Sequence, residues 1–138
     1  MKSVLGKLVG ILVGLAIFSY TEGWAVDWKY YGTNEDGSYY YDTESMTRLS
    51  KNFMKVWVQS AYTEEGISHW VREGGKSFQD LDFTLILLEL NCAERSIRYL
   101  QIVFYSKKGE MFYPIDNEEW HFIAPNSLIG ELHKEVCK

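Results

Sequence analysis

Over residues 53–62 the chain alternates with period two. Met54, Val56 and Val58 share one side and Phe53, Lys55, Trp57 and Gln59 the other, which predicts a strand with two distinct faces. Shorter runs at 28–31 and 38–42 flank Asn34-Glu35-Asp36-Gly37, residues suited to a tight turn, and predict a hairpin. A short strand at 46–49 and a turn at 50–52 lead into the long strand. At Thr63 the period changes: Ile67, Trp70 and Val71 stand at i, i+3 and i+4, the stripe of a short helix near 64–73 that stops at Gly74-Gly75.

Residues 81–92 then form a long, strongly apolar strand, Ala93-Glu94-Arg95-Ser96 turns the chain, and 97–106 returns as its partner. A turn at 107–110 and a short strand at 111–113 follow. Near the end, Asn126 is a candidate N-cap for a helix carrying Leu128, Ile129, Leu132 and Val136 on one side. The fold class expected is α+β: an antiparallel sheet of about six strands, a C-terminal helix packed on one face, and the short helix near 64–73. With only Pro114 and Pro125, no repeat and no Gly/Ser linker, residues 26–138 read as one domain.

Alternation also assigns faces. If Cys92 points at the C-terminal helix, Thr84, Ile86, Leu88 and Leu90 point the same way and meet Leu128, Leu132 and Val136. Phe83, Leu85, Leu87 and Glu89 then point away. That second face is too apolar to stand bare, so either the helix near 64–73 covers it or another molecule does.

The first 25 residues do not fit this pattern. Lys2 and Lys7 precede an uncharged apolar run from Leu8 to Phe18, polar residues follow, and Gly23-Trp24-Ala25 places small side chains where a signal peptidase needs them. Residues 1–25 are read as a signal peptide cleaved after Ala25, because the run falls short of the roughly 20 apolar residues that span a bilayer. No cysteine precedes Cys92 to carry a lipid. The expected product is therefore exported, periplasmic or secreted, with no lipid anchor and no integral membrane segment after cleavage. Losing Lys2, Lys7 and Glu22 moves the formal net charge from −5 to −6, and an acidic surface argues against nucleic acid as a partner.

Export also decides the chemistry of Cys92 and Cys137, the only two cysteines. In an oxidising compartment they are expected to form one disulfide. The loop it closes, of roughly 46 residues, makes the bond worth about 4 kcal/mol through chain entropy. Redox pairs usually sit in a tight C-x-x-C arrangement, which is absent here.

A search for catalytic chemistry yields little. His69, His121 and His133 are scattered away from any recurring zinc spacing, and Ser45, Ser60 and Ser68 lack a G-x-S-x-G context. Gly74-Gly75-Lys76-Ser77 has no glycine four residues upstream and reads as a helix stop rather than a phosphate loop. No catalytic, metal-ligating or cofactor-binding residue is assigned and no cofactor is expected. The unusual number is an aromatic content of 16%, much of it tyrosine in or beside strands. Such rings pack sheets, and they also favour interfaces because they bury area at small entropic cost. Trp57, Tyr99 and Tyr105 are the candidate binding face.

Taken in order, Tyr40-Tyr41-Asp42, Thr47-Arg48-Leu49, Val56-Trp57-Val58, Glu89-Leu90-Asn91-Cys92, Trp120-His121-Phe122-Ile123-Ala124-Pro125 and the terminal helix ending in Cys137-Lys138 make the chain resemble the surface-adhesin protein E family. The resemblance implies an antiparallel sheet with a disulfide-tied C-terminal helix, and binding of protein partners such as extracellular-matrix proteins and plasminogen. It carries over no ligand-binding residue. The first expectation is thus an exported, non-enzymatic binding domain that uses an aromatic sheet face or edge for a protein partner or to form a homodimer. A structural or assembly component of the cell envelope and a small periplasmic enzyme are the alternatives.

Overall fold

The computed structural model describes residues 26–112 and 119–138; the signal peptide expected over 1–25 and the end of the strand expected at 111–113 lie outside them. Among the described residues eight antiparallel strands make one sheet: β1 (Trp28–Asn34), β2 (Gly37–Asp42), β3 (Thr47–Arg48), β4 (Phe53–Tyr62), β5 (Leu81–Asn91), β6 (Ser96–Ser106), β7 (Met111–Phe112) and β8 (His121–Phe122). Their order is β1-β2-β4-β5-β6-β7, with β3 beside β2 on the same edge of β4 and β8 on β6. Helix α1 (Glu64–Gly74), a 3-10 turn (Lys76–Phe78) and helix α2 (Leu128–Val136) complete the α+β fold.

The first hairpin turns on two residues, with Asn34 opposite Gly37. Asn34 Oδ1 accepts from the Asp36 and Gly37 amides at 2.9 and 3.2 Å, the local side-chain bond that makes asparagine a turn former. Thr63 caps α1 by accepting from the Gly66 amide at 3.1 Å. Gly75, at φ 98°, ends the helix in a conformation that a side chain would strain. At α2 the cap is Ser127, which accepts from Gly130 N at 3.0 Å, and not Asn126. Asn126 sits one residue earlier in the left-handed region at φ 58°, which asparagine tolerates.

Both helices lie on one face of the sheet, so the helix near 64–73 does not cover the second face. On this face Met54, Val56 and Val58 of β4 stand across from Leu90, Leu88 and Ile86 of β5. Leu132 and Val136 of α2 close over them with Tyr41, Ile97 and Ile123, and all except the half-buried Ile86 are fully buried. At the other end, the Trp70 ring of α1 lies 5.1 Å from Phe104 and 6.3 Å from Tyr62, with Phe78 tilted beside it at 5.3 Å.

Cys92 and Cys137 are joined, with Cα atoms 5.6 Å apart, and tie the end of α2 to the end of β5. His133 reinforces the joint. Its Nε2 lies 3.1 Å from the Cys92 carbonyl and its Nδ1 3.4 Å from Arg95 Nη1, so the Nε2–H donates and Nδ1 accepts. This histidine is structural.

Among the described residues three bulges interrupt the alternation. Extra residues occur at Tyr31 in β1, at Asp82 in β5 and at Leu100 in β6. Each re-aims the side chains that follow and increases the local twist.

Candidate binding face

The face opposite the helices is assembled from cross-strand rows. Tyr40, Gln59, Leu85 and Val103 form one row, Trp57 and Leu87 the next, and Ala61, Phe83 and Tyr105 a third. Most of these side chains are half-buried and neither helix lies on them. Phe83 and Tyr105 stack at 4.6 Å with ring planes 12° apart, a rigid aromatic plate. Tyr30 meets the edge of Tyr40 at 5.8 Å and remains 54% exposed.

One end of this face is polar. Arg98 Nε and Nη2 both donate to Glu89 Oε1, at 2.9 and 2.8 Å. The Arg98 guanidinium also lies 4.9 Å from the Trp120 ring centre, and Trp120 meets Phe53 edge-on at 5.9 Å. A nearly buried carboxylate is thereby paired and its cationic partner held over an indole. Beside it lies the plate of rings and aliphatics formed by Phe83, Leu85, Leu87 and Tyr105.

Of the three residues expected on a binding face, the structure brings together two. Trp57 and Tyr105 are on the helix-free face. Tyr99 is on the other, across from Leu88 and 6.1 Å from the His121 ring, where burial pushes its phenol pKa up. The bulge at Leu100 separates them: without it Tyr99 and Tyr105, six residues apart, would share a face. Sequence reasoning also passed over Asp42, whose fully buried carboxylate accepts from the Asp27 and Glu44 amides and from the Ser45 hydroxyl, at 2.7, 3.1 and 2.6 Å. An Asx pattern with a serine three residues on was the available signal.

Among the described residues no three His, Cys, Asp or Glu side chains converge to hold a metal ion, and no helix is long and apolar enough to cross a membrane. What the fold defines is a small, disulfide-closed sheet domain with two helices on one face. The family model for surface-adhesin protein E matches residues 28–138, and the chain belongs to that family. Its fold is shared with Haemophilus influenzae protein E. Crystal form II of that protein superposes with a TM-score of 0.55 at 14% identity, covering 72% of this chain and 79% of that one. Protein E from non-typeable Haemophilus influenzae gives 0.52 at 15% identity, covering 78% and 74%. No curated protein matches the chain in sequence. Membership implies an exported, adhesin-like protein of bacterial type.

Proposed function

We propose that this protein is a non-enzymatic binding domain that recognises a protein partner, at the cell envelope or outside the cell, through the helix-free face of its sheet. The observation that carries the reading is the placement of both helices on one side, which leaves Leu85, Leu87, Phe83 and Tyr105 on a half-buried face with no helix over it among the described residues. Large apolar faces without a layer of their own mark interaction surfaces. Rigid aromatic side chains at such faces supply much of the binding energy. Extracellular-matrix proteins and plasminogen, which the family likeness points to, are the first partners to test.

The experiment is surface plasmon resonance of the oxidised domain over immobilised matrix proteins and plasminogen, with Leu87→Lys and Tyr105→Ala alongside. Saturable binding that weakens at least about tenfold in both variants, with melting temperatures preserved, supports the reading. Binding that ignores both substitutions would move the contact to another surface. Retention of none of these ligands, with capture of envelope components instead, would favour an assembly role.

A further inference from the structure

A second surface lies at one end of the sheet, and it does not depend on the partner face proposed above. In the last row of the sheet Phe53 stands opposite Asn91, Asn91 opposite Ser96 and Ser96 opposite Phe122, and the Leu49 amide donates to the Phe53 carbonyl at 2.8 Å. The row thus begins at Leu49, just past β3, and ends at Phe122 on β8. Four strand spacings separate the two, roughly 19 Å. Leu49 is 47% exposed and Phe122 75%. Trp120, 40% exposed, stands two residues before Phe122, with the Arg98 guanidinium against its ring. A single exposed leucine is ordinary. Three large apolar side chains brought to one end by separate elements are not a random scatter.

The ground between these tips is polar and cationic. From Arg48 to Lys55 the chain carries Arg48, Lys51 and Lys55 and no carboxylate. None of the three is in an ion pair among the described residues, and Arg48 and Lys51 are exposed. Arg48 Nη1 donates to the Lys51 carbonyl at 2.9 Å, which holds its charge at the turn. Arg95 adds a cation in the β5–β6 turn, and Arg98 is paired with Glu89. Over residues 48–55, 89–98 and 119–122, five Lys and Arg stand against three Glu, on a chain whose formal charge is −5.

This arrangement selects its partner. A protein interface needs a contiguous, desolvated centre. Here the apolar tips stand at opposite ends of a row, with Asn91, Ser96 and cations between them. A bilayer surface makes no such demand: each apolar tip enters the interfacial layer by itself, while Lys and Arg meet anionic headgroups. Trp120, apolar in body and polar at its N–H, suits the same depth.

We infer that this end of the sheet docks on an anionic lipid surface, with Leu49, Trp120 and Phe122 entering the headgroup layer and Arg48, Lys51 and Lys55 against lipid phosphates. So placed, the domain stands on its strand ends and keeps the helix-free face accessible to a partner. The test is flotation of oxidised residues 26–138, which hold every strand and helix described, with vesicles of phosphatidylglycerol mixed equally with phosphatidylcholine and with vesicles of phosphatidylcholine alone. Binding to the anionic vesicles is expected to be at least about tenfold tighter than to the neutral ones, and to weaken as salt rises. Phe122→Ser and Lys51→Glu change exposed side chains, and each should weaken it about tenfold. Tryptophan fluorescence should move to the blue on binding, and Trp120→Phe should remove that shift. Equal affinity for the two kinds of vesicle, flotation with neither, or binding indifferent to both Phe122→Ser and Lys51→Glu would each overturn the inference. Loss of binding to a matrix protein or plasminogen in these two variants, with no vesicle bound, would overturn it in favour of a protein contact.

Discussion

The two helices rest on the same sheet face but are held by different chemistry. Helix α2 is fixed by aliphatic burial of Leu132 and Val136, a covalent bond at Cys137 and a histidine bonded to the strand end. Helix α1 has no such tie. It is held by the edge-on rings around Trp70, and at its start by the first hairpin, whose Asp36 and Glu35 carbonyls accept from the Thr63 amide and hydroxyl at 2.9 and 2.7 Å. One attachment works largely through the unfolded state, by shrinking its entropy. The other works only while the rings and carbonyls are in place, so the α1 end should open first when the domain is stressed.

Four measurements break or sharpen that contrast. The largest effect is expected for Cys137→Ser, a loss of about 4 kcal/mol in chemical denaturation under oxidising conditions, with wild type and variant equal once both are reduced. A smaller loss, about 3 kcal/mol, is expected for Trp70→Ala. Hydrogen exchange should then show α1 exposed and α2 still protected, and equal exposure of both helices would abolish the distinction. Gly66→Ala comes third, at about 2 kcal/mol, because a methyl there overlaps the Asp36 carbonyl and must push the hairpin from the helix. Melting curves would check it, and an unchanged midpoint would mean that the hairpin does not clasp α1.

The smallest effect at neutral pH is expected for Tyr31→Phe, and it grows in alkali. Burial raises the Tyr31 phenol above its ordinary range, with Tyr62 and Tyr99 shifted the same way by the same cause. The folded chain therefore holds these protons more tightly than the unfolded chain. That stability is complete below about pH 10, where free tyrosine titrates, and is lost as the pH rises beyond it. Tyr31→Phe should flatten the alkaline fall in stability; an equally steep fall would remove Tyr31 as its source.

Much of this architecture was legible because it is local. Turn residues at 34–37, the change of period at Thr63, the stop at Gly74-Gly75 and the apolar stripe of α2 each act within a few residues. The disulfide followed from two cysteines and an oxidising compartment. The face taken by α1 was not legible, because Trp70 finds Phe104 across two strand pairings that no local pattern encodes. The candidate face was half legible for the same reason. Period two carried Trp57 correctly, but the extra residue at Leu100 sent Tyr99 to the opposite side from Tyr105, and nothing in the composition of 96–106 marks it.

Those irregularities have a consequence for crowded copies of the molecule. A straight outer strand is a template on which another chain can pair. Here β1 is kinked at Tyr31, and Leu128 of α2 lies over its Gly32. On the far side β6 is capped by β7 near one end and β8 near the other, with its own kink at Leu100 between them. Neither border offers a long, flat run of backbone, so high local density should not convert this sheet into a fibre, and association is directed to faces and away from rims.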